Sequence, residues 1–515
     1  MRRLLFKNFK IIDKTSNFFG SIVAEDGKIK KIIQGKFSGG GMADSDKENF
    51  SRIIDGNSFS GVPVLMPAFV DLHAHYRDAG GEPLPRRTSD PQGLAENAGI
   101  YDTGVSVIPE TIESGSLAAV TGGYVTVICM ANTKPVIDTT EKACNVKARS
   151  DAVGLIDLFP VVSLTKNMDG RELTEIESLN ASGGEPRPSG SAGNSCQAQY
   201  LTLPLPLMLS EDGKDIADEK IFFSAMQQAR RLGLPVSCHC DFGGPEAQAA
   251  KAMGKTRAEW SRIEENNAVR RAIELGKAAG CHIHIAHVST GEAVSIIQQE
   301  KKLLGQKSSG QNSGFKLTCE ATPHHIGATE EDARRMGEES RGRVNPPLRT
   351  EADRNAVRAA LLDGTIDAIA TDHAPHSDAD KAAGSPGFSG QETAFAACLS
   401  YLFPDDNLQN NDNNKSIHDK NKTIAGNNLQ KLSAMMSANP AAIIGLDTGP
   451  EGRGSITADL RADFVIIDPC AEYSVDSAKF KSRGKCSPFN GQKLRGKILM
   501  TVNKGRIVYD GDTDA

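Results

Sequence analysis

Most of the chain alternates short apolar runs with amphipathic stretches of helical periodicity, such as Glu219–Leu232 and Ala352–Leu362. Apolar runs separated by amphipathic helices are typical of βα units around a parallel sheet. Eight strands are predicted in this part of the chain: Val64–Asp71, Tyr124–Met130, Leu155–Leu164, Leu205–Leu209, Pro235–Cys240, His282–Val288, Phe315–Glu320 and Ile366–Thr371. Eight such units predict a (β/α)₈ barrel.

Both ends of the chain have a different pattern, in which short strands are separated by turns such as Asp26-Gly27 and Lys504-Gly505. This texture is typical of antiparallel sheets, and we expect the two ends to pair into one small β-sandwich domain. The sequence therefore predicts residues 1–62 and 455–515 as the two halves of that domain, and residues 63–454 as the barrel.

Four stretches interrupt the barrel pattern, and all are rich in Gly, Ser, Pro, Asn and Asp. Such segments bury too little apolar surface to form an ordered core. They are predicted to be surface insertions: residues 82–109, 180–202, 303–314 and 404–428.

Charge and composition exclude several classes of protein. The 59 basic and 65 acidic residues among 515 leave a formal charge of −6 without a basic cluster, so a small-molecule substrate is expected and a nucleic-acid partner is not. No apolar run is long enough to span a membrane, and Lys7 and Lys10 interrupt the apolar start of the chain before a signal peptide could form. The ten cysteines are scattered without a Cys-x-x-Cys pair, which favours reduced thiols and a cytoplasmic location.

Metal-binding side chains collect where the predicted strands end. His73 and His75 are separated by one residue at the end of the first strand, so both imidazoles point to the same side of it. The later strand ends add further candidates: Asp212 after strand four, His239 after strand five, His287 after strand six and Asp372 after strand eight. Because barrel active sites form at the carboxyl ends of the strands, we expect these side chains to meet.

Four histidines and two carboxylates are more ligands than one tetrahedral zinc ion needs, and they fit a pair of divalent ions. We expect His73, His75 and Asp372 to hold one ion, His239 and His287 to hold the other, and Asp212 to bridge them. The alternative for Asp212 is a simple turn in Glu211-Asp212-Gly213. His282 and His284 are interpreted as structural residues of the strand that carries His287.

Arg77 lies two residues after His75 and would point into the same mouth, where its guanidinium could pair with a substrate carboxylate. The alternative is a salt bridge at the rim of the barrel. Asn132 and His376 could complete such an anion site. The segment Asn345-Pro346-Pro347-Leu348-Arg349 is interpreted as a rigid loop.

Five segments in order along the chain resemble the motifs of dihydroorotases in the amidohydrolase superfamily: Met66–Arg77, Cys129–Pro135, Cys319–His325, Val344–Arg349 and Ile369–His376. The resemblance covers most of the chain outside the insertions. It implies a zinc-dependent, reversible cyclisation of N-carbamoyl-L-aspartate to L-dihydroorotate plus water in de novo pyrimidine synthesis, with one or two Zn²⁺ ions per chain. It also implies a homodimer or an association with aspartate carbamoyltransferase.

By the same family pattern, Arg77, Asn132, Asn345 and His376 bind the substrate. Asp372 is the catalytic residue, which holds a metal and moves a proton from the attacking hydroxide to the leaving nitrogen.

The segment around Asp212 separates this chain from the related hydantoinases and allantoinases, which usually bridge their metals with a carboxylated lysine. Leu207–Gly213 resembles the Asp-Asp-Gly element of the dihydroorotases that use aspartate instead, and family spacing selects Asp212 over Glu211. Ala131 and Glu211 replace a proline and an aspartate of the family pattern. Two alternatives follow: a sister cyclic amidohydrolase, or a non-catalytic subunit that scaffolds aspartate carbamoyltransferase. Retention of every inferred ligand disfavours the scaffold.

Overall fold

The structure is a computed structural model that describes residues 3–35, 50–79, 110–175, 205–306, 314–404 and 426–511. Its strands, in chain order, are β1 Arg3–Ile12, β2 Asn17–Glu25, β3 Lys28–Gln34, β4 Arg52–Asp55, β5 Val64–Pro67, β6 Phe69–Ala74, β7 Tyr124–Cys129, β8 Asp157–Pro160, β9 Leu209–Ser210, β10 Val236–Cys238, β11 His282–Ile285, β12 Lys316–Ala321, β13 Ala368–Ile369, β14 Phe464–Ser474, β15 Lys493–Asn503 and β16 Arg506–Asp510.

The α-helices of the same ranges are α1 Ile112–Thr121, α2 Thr140–Val153, α3 Glu219–Leu232, α4 Gly244–Ala252, α5 Arg257–Ala279, α6 Gly291–Gln306, α7 Pro323–Gly327, α8 Glu330–Met336, α9 Glu351–Asp363, α10 Asp378–Ala382, α11 Ala394–Leu402, α12 Gly426–Ser433 and α13 Asn439–Ile443. The helix predicted at Glu219–Leu232 has these bounds, and the one predicted at Ala352–Leu362 is one residue longer at each end. None of the helices in the described ranges is long and apolar enough to cross a membrane.

Eight parallel strands form a closed ring. Strands β6, β7 and β8 pair in that order, and β9 to β13 form a second parallel run. Single bridges join the two runs at both ends, Val162 to Leu209 and Ala74 to His373. The ring confirms the predicted (β/α)₈ barrel.

The two chain ends meet in one eight-stranded sheet, in the order β16-β15-β14-β5-β1-β2-β3, with β4 paired to β1. Its strands enclose a separate apolar core, in which the rings of Phe6 and Phe464 pack edge to face at 5.2 Å. The pairing of the two ends is therefore confirmed. The domain boundaries after residues 62 and 454 stay a prediction.

The single strand predicted at Val64–Asp71 is wrong, because this run forms two strands. Strand β5 pairs with β1 and β14 in the terminal sheet, whereas β6 pairs with β7 in the barrel. Both halves are fully buried, so hydrophobicity alone does not mark the change of sheet at Ala68.

Several further predicted ranges differ from the structure, and the strands predicted at Leu155–Leu164 and Ile366–Thr371 are reduced to β8 and β13. The strand predicted at Leu205–Leu209 is reduced to β9, since Pro206 has no N–H to donate to a sheet. Helix α6 continues to Gln306, where Leu304 still packs on the core, and α12 begins at Gly426. The insertions predicted at 303–314 and 404–428 are therefore shorter than expected. Residues 82–109 and 180–202, and the remainder of those two insertions, lie outside the described residues.

Buried charges join the terminal sheet to the barrel at the end where β8 begins. Asp157 lies within 3.1 Å of Arg453 Nη1 and 3.2 Å of Lys504 Nζ, and it also pairs with Arg461. Burial raises the pKa of the Asp157 carboxyl, but the surrounding cations outweigh burial and hold it well below its usual range. The C-terminal segment is thus attached opposite the strand ends where the predicted site lies.

Candidate metal centre

The two histidines of the first barrel strand lie side by side at its carboxyl end. His73 is within β6 and His75 directly follows it, and their ring centroids are 5.1 Å apart. The backbone N–H of His75 donates to His373 O at 2.8 Å, which continues the pairing between the first and the last strand. Both imidazoles are buried and, as alternation along the strand requires, approach the same carboxylates.

Asp372 faces both histidines from the last strand. Its Oδ1 is 3.0 Å from His75 Nε2 and 3.6 Å from His73 Nε2. Ligand atoms of His73, His75 and Asp372 all lie within 4.8 Å of one another, so one ion could bind all three. This is the first triad that the sequence predicted.

Asp212 lies between the first triad and the remaining histidines. Its Oδ1 is 3.2 Å from His73 Nε2, 3.1 Å from His239 Nδ1 and 3.7 Å from His287 Nε2. Its other oxygen, Oδ2, is 3.4 Å from His75 Nε2. Asp212 therefore contacts all four histidines, as a bridging ligand would.

The remaining two histidines meet on the other side of Asp212. Ligand atoms of His73, Asp212 and His287 converge within 4.8 Å of one another. His239 Nδ1 lies 2.8 Å from His287 Nε2 and 3.1 Å from Asp212 Oδ1. The structure thus places His239 beside His287, and their assignment to a second ion stays a prediction.

Two atoms at the centre of the cluster support cation binding. His73 Nε2 and Asp212 Oδ1 are buried and have no hydrogen-bond partner within the described ranges. Buried polar atoms without partners are rare in folded proteins, and a missing ion is one explanation for them. The donor set of imidazole nitrogens and carboxylate oxygens fits a divalent transition ion such as zinc.

Two of the ligands occupy an uncommon backbone conformation. His287 has φ of +34° and Asp372 has φ of +45°, a left-handed region that costs non-glycine residues on the order of 1–3 kcal/mol and is enriched at functional sites. Neighbouring buried carboxylates hold both turns. Glu265 Oε1 accepts hydrogen bonds from Ser289 N at 2.8 Å and Thr290 N at 3.1 Å.

Asp71 supports the turn at Asp372 in the same way. Its carboxylate accepts hydrogen bonds from Thr371 N at 2.9 Å, Thr371 Oγ1 at 2.6 Å and Gln391 Nε2 at 3.0 Å. Asp71 thereby holds the end of β13, the last barrel strand, beside β6, the first.

The local charges keep Asp372 ionised. Burial raises the pKa of its carboxyl, but the hydrogen bond from His75 and the charges of His73 and His75 lower it well below its usual range. Asp372 is therefore ionised at neutral pH, as a metal-binding carboxylate is.

Arg77 lies next to two of the other predicted substrate-binding residues, Asn132 and His376. Arg77 Nη1 donates to Asn132 O at 3.4 Å, its only hydrogen bond among the described residues. Burial and the nearby Arg77 charge lower the pKa of His376 to about 4, and His376 Nε2 donates to Pro386 O at 2.9 Å. Within the described ranges, most N–H groups of the guanidinium therefore have no protein acceptor, and a neutral imidazole lies nearby.

Asn132 and Asn345 already contact metal-site residues. Asn132 Oδ1 lies 3.0 Å from His75 Nδ1, and its Nδ2 donates to Asp212 O at 3.2 Å. Asn345 Nδ2 lies 3.1 Å from His239 Nε2. Both amides were predicted from the resemblance to bind substrate, and here their side chains orient candidate ligands.

The choice of Asp212 over Glu211 agrees with the structure. Glu211 turns away from the cluster and accepts hydrogen bonds from Thr165 N at 3.0 Å and from the Thr165 hydroxyl. Gly213 follows with φ of +95°, and a Cβ there would lie 3.1 Å from Asn132 Nδ2. The turn therefore both aims Asp212 and leaves room for the asparagine.

Glu320, Asp71 and Asp241 also belong to the site, although no motif in the sequence predicted them. Glu320 Oε1 lies 2.9 Å from His73 Nδ1, and Asp241 Oδ2 lies 3.2 Å from His239 Nε2. Burial raises the pKa of Glu320, but hydrogen bonds with His284 and His73 lower it to about 2. For Asp71 and Glu320 the available signal was an acidic residue inside an apolar strand, since buried carboxylates are rare without partners.

Comparison with known proteins agrees with this geometry. The sequence profile of the amidohydrolase family matches residues 64–508. Dihydroorotase of Clostridium botulinum is 32% identical over 98% of this chain and 99% of its own length, and dihydroorotase of Aquifex aeolicus is 30% identical over 99% and 100%.

Solved structures of similar fold include the L-hydantoinase of Arthrobacter aurescens, with a TM-score of 0.69 and 21% identity over 99% of this chain and 97% of that one. At this identity the likeness concerns the fold. The sequence relatives are more specific, and the chain belongs to the dihydroorotases of the amidohydrolase family, hydrolases that act on a cyclic amide.

Proposed function

We propose that the chain is a zinc-dependent enzyme that interconverts N-carbamoyl-L-aspartate and L-dihydroorotate. The observation that carries the proposal is the Arg77 guanidinium, which makes one hydrogen bond among the described residues and whose charge acts on Asp212 and Asp372 of the cluster. A hydrolase of cyclic amides with a cation at this position suits a ring that bears a carboxylate.

The proposed metal ligands are the six residues predicted from the strand ends: His73, His75, Asp212, His239, His287 and Asp372. When bound, one or two zinc ions would polarise the ring amide carbonyl and lower the pKa of water. His73 Nε2 and Asp212 Oδ1, which lie 3.2 Å apart and make no hydrogen bond in the described part of the chain, support a cation between these side chains.

Asp372 is the proposed proton carrier. In hydrolysis, the oxygen of water adds to the ring carbonyl carbon, the bond from that carbon to the ring nitrogen breaks, and the nitrogen gains a proton. An ionised Asp372 accepts the proton from the attacking water and donates it to the leaving nitrogen. In cyclisation the same residue works in the reverse order.

Arg77, Asn132, Asn345 and His376 are the proposed substrate-binding group. Arg77 pairs with the substrate carboxylate through its two-pronged guanidinium, which would disfavour rings without that group. The neutral state of His376 leaves one ring nitrogen able to accept a hydrogen bond from the substrate. Homodimerisation, association with aspartate carbamoyltransferase and a cytoplasmic location stay predictions.

The test is hydrolysis of L-dihydroorotate by the purified protein, beside dihydrouracil, hydantoin and allantoin, before and after chelation and with zinc restored. We expect turnover of dihydroorotate alone, lost with chelation and recovered with zinc. Turnover of another ring would assign the protein to a sister activity. No turnover by the zinc-loaded protein would favour the scaffold.

A further inference from the structure

The outer nitrogen of His73 is held by a chain of buried side chains that the proposed reaction does not use. His73 Nδ1 lies 2.9 Å from Glu320 Oε1, and Glu320 Oε2 lies 2.9 Å from His284 Nε2. His284 Nδ1 in turn lies 2.9 Å from Thr318 Oγ1. The side chains of His73, Glu320 and His284 have at most 1% of their surface exposed, so water does not replace these contacts.

We call the hydrogen-bonded chain of His73, Glu320, His284 and Thr318 the relay. Strand register places Thr318, Glu320 and His284 on one face of the sheet. Thr318 and Glu320 are two residues apart on β12, and His284 on β11 pairs directly with Thr318. Side chains at alternate positions share a face of a sheet. The relay therefore runs along the barrel interior from strand β11 through β12 to β6.

If Glu320 is ionised, each hydrogen bond of the relay can be assigned one donor and one acceptor. An ionised carboxylate only accepts, so Glu320 requires N–H at His73 Nδ1 and at His284 Nε2. His284 Nδ1 then accepts from the Thr318 hydroxyl, which itself accepts from His282 Nε2 at 2.9 Å. This assignment leaves His73 Nε2 without a proton, and this atom faces Asp212 and Asp372 without a hydrogen-bond partner in the described part of the chain.

We propose that Glu320 is a positioning residue for metal binding, which fixes the tautomer and orientation of His73, and that His284 holds Glu320 in place. This inference rests on the proposed metal site. A carboxylate behind a ligating histidine typically changes metal affinity about 10- to 100-fold. His284, interpreted from the sequence as a strand residue without a part in the site, thereby gains a specific role.

The test compares Glu320→Ala with Glu320→Gln in zinc binding, measured by competition with a chromophoric chelator in the absence of substrate. We expect Glu320→Ala to weaken zinc binding by about 10- to 100-fold and to reduce the rise in Tm that zinc produces in the metal-free protein. The difference between metal-free and zinc-loaded Tm separates positioning from a general loss of stability.

Glu320→Gln should retain most of the zinc affinity. Its amide oxygen can accept from His73 Nδ1, and its NH₂ can donate to His284 Nε2 if His284 takes its other tautomer and donates from Nδ1 to Thr318. A purely electrostatic role for Glu320 does not predict this rescue, because glutamine carries no charge; a merely structural role is separated by comparing the metal-free and zinc-loaded Tm.

Cys319→Ala is the matched control, because Cys319 is the buried neighbour of Glu320 on β12 and its thiol donates to Thr365 O at 3.4 Å, outside the metal cluster. It should leave zinc affinity unchanged. If Glu320→Ala fails to fold, Glu320→Met fills a similar volume and carries the same expectation.

Wild-type zinc affinity in Glu320→Ala or Glu320→Met, or equal weakening in Glu320→Gln, would overturn the proposal. Because the test measures zinc binding alone, absence of dihydroorotate turnover would count against the proposed function but would not affect the conclusion about Glu320.

Discussion

Asp372 combines a strained backbone, a buried carboxylate and contacts to two histidines in one residue. Arg77, whose charge interacts with Asp212 and Asp372, is a cation with most of its N–H groups unused among the described residues. Substitution of Asp372 therefore tests the chemical step, and substitution of Arg77 tests substrate binding.

Asp372→Asn should keep the fold and lose about 10²–10⁴-fold in kcat, because an amide cannot accept the proton. Asparagine tolerates the left-handed conformation at this position nearly as well as aspartate, so the circular dichroism spectrum should be unchanged. Steady-state hydrolysis of L-dihydroorotate at matched zinc content is the measurement. A folded, zinc-loaded variant with near-normal kcat would remove Asp372 from proton transfer.

Arg77→Ala should raise KM for L-dihydroorotate by about 10- to 100-fold, because charge-assisted hydrogen bonds contribute roughly 1.5–3 kcal/mol. Arg77→Lys is the matched variant. It keeps the charge but loses the planar fork, so an intermediate KM is expected. Zinc content should stay at the wild-type level in both variants. An unchanged KM in Arg77→Ala would exclude Arg77 from the carboxylate site.

Among the elements, a loop of the C-terminal segment at residues 480–487 contacts the barrel next to His376. Ser389 Oγ donates to Gly484 O at 2.7 Å, and Ser389 N donates to Cys486 O at 2.8 Å. Glu392 accepts from the backbone N–H groups of Lys481 at 2.9 Å and Ser482 at 3.0 Å. The terminal segments, which the sequence assigned to a separate sheet, therefore also support a wall of the candidate site.

The main effect of Gly484→Ala should be a higher KM for L-dihydroorotate, with a smaller loss of stability. A Cβ at this position would lie 2.6 Å from Pro375 Cβ and 2.7 Å from His376 N, so the segment carrying His376 must move, and overpacking of this kind costs about 1–3 kcal/mol. KM for L-dihydroorotate and Tm are the measurements. Gly305→Ala is the control, because a Cβ there meets nothing within 4 Å. Equal KM values in both variants would mean that the loop does not position His376.

Over the whole molecule, the ion cluster around Asp157 predicts how stability depends on pH. A carboxylate whose folded pKa is lowered adds stability that is complete above its unfolded pKa, about 3.9, and that is lost as the pH falls toward the folded value. Arg453, Arg461 and Lys504 cause this lowering against burial, so part of the attachment of the terminal sheet should fail in acid.

Asp157→Asn should lower the free energy of unfolding near neutral pH by about 1.5–3 kcal/mol, because it removes one carboxylate from Arg453 and Arg461, which keep their ion pairs with Glu451 and, for Arg461, with Asp463. Its Tm should also fall less steeply than that of the wild type below about pH 4. Thermal unfolding across this pH range is the measurement. Asp459→Asn is the control, since its ion pair with Lys30 is exposed and such pairs contribute little. Parallel pH profiles for Asp157→Asn and the wild type would contradict the prediction.

The sequence by itself determined the barrel, the pairing of the two chain ends and the strand ends that carry the ligands, because hydrophobic periodicity and the spacing of His73 and His75 are local properties. Tertiary structure decided where Val64–Ala74 passes from one sheet to the other, since both halves are equally apolar. It also decided that Glu320 and His284 support His73 and that residues 480–487 reach His376. These contacts join residues far apart in the chain, and no local pattern records which buried side chains face each other across neighbouring strands.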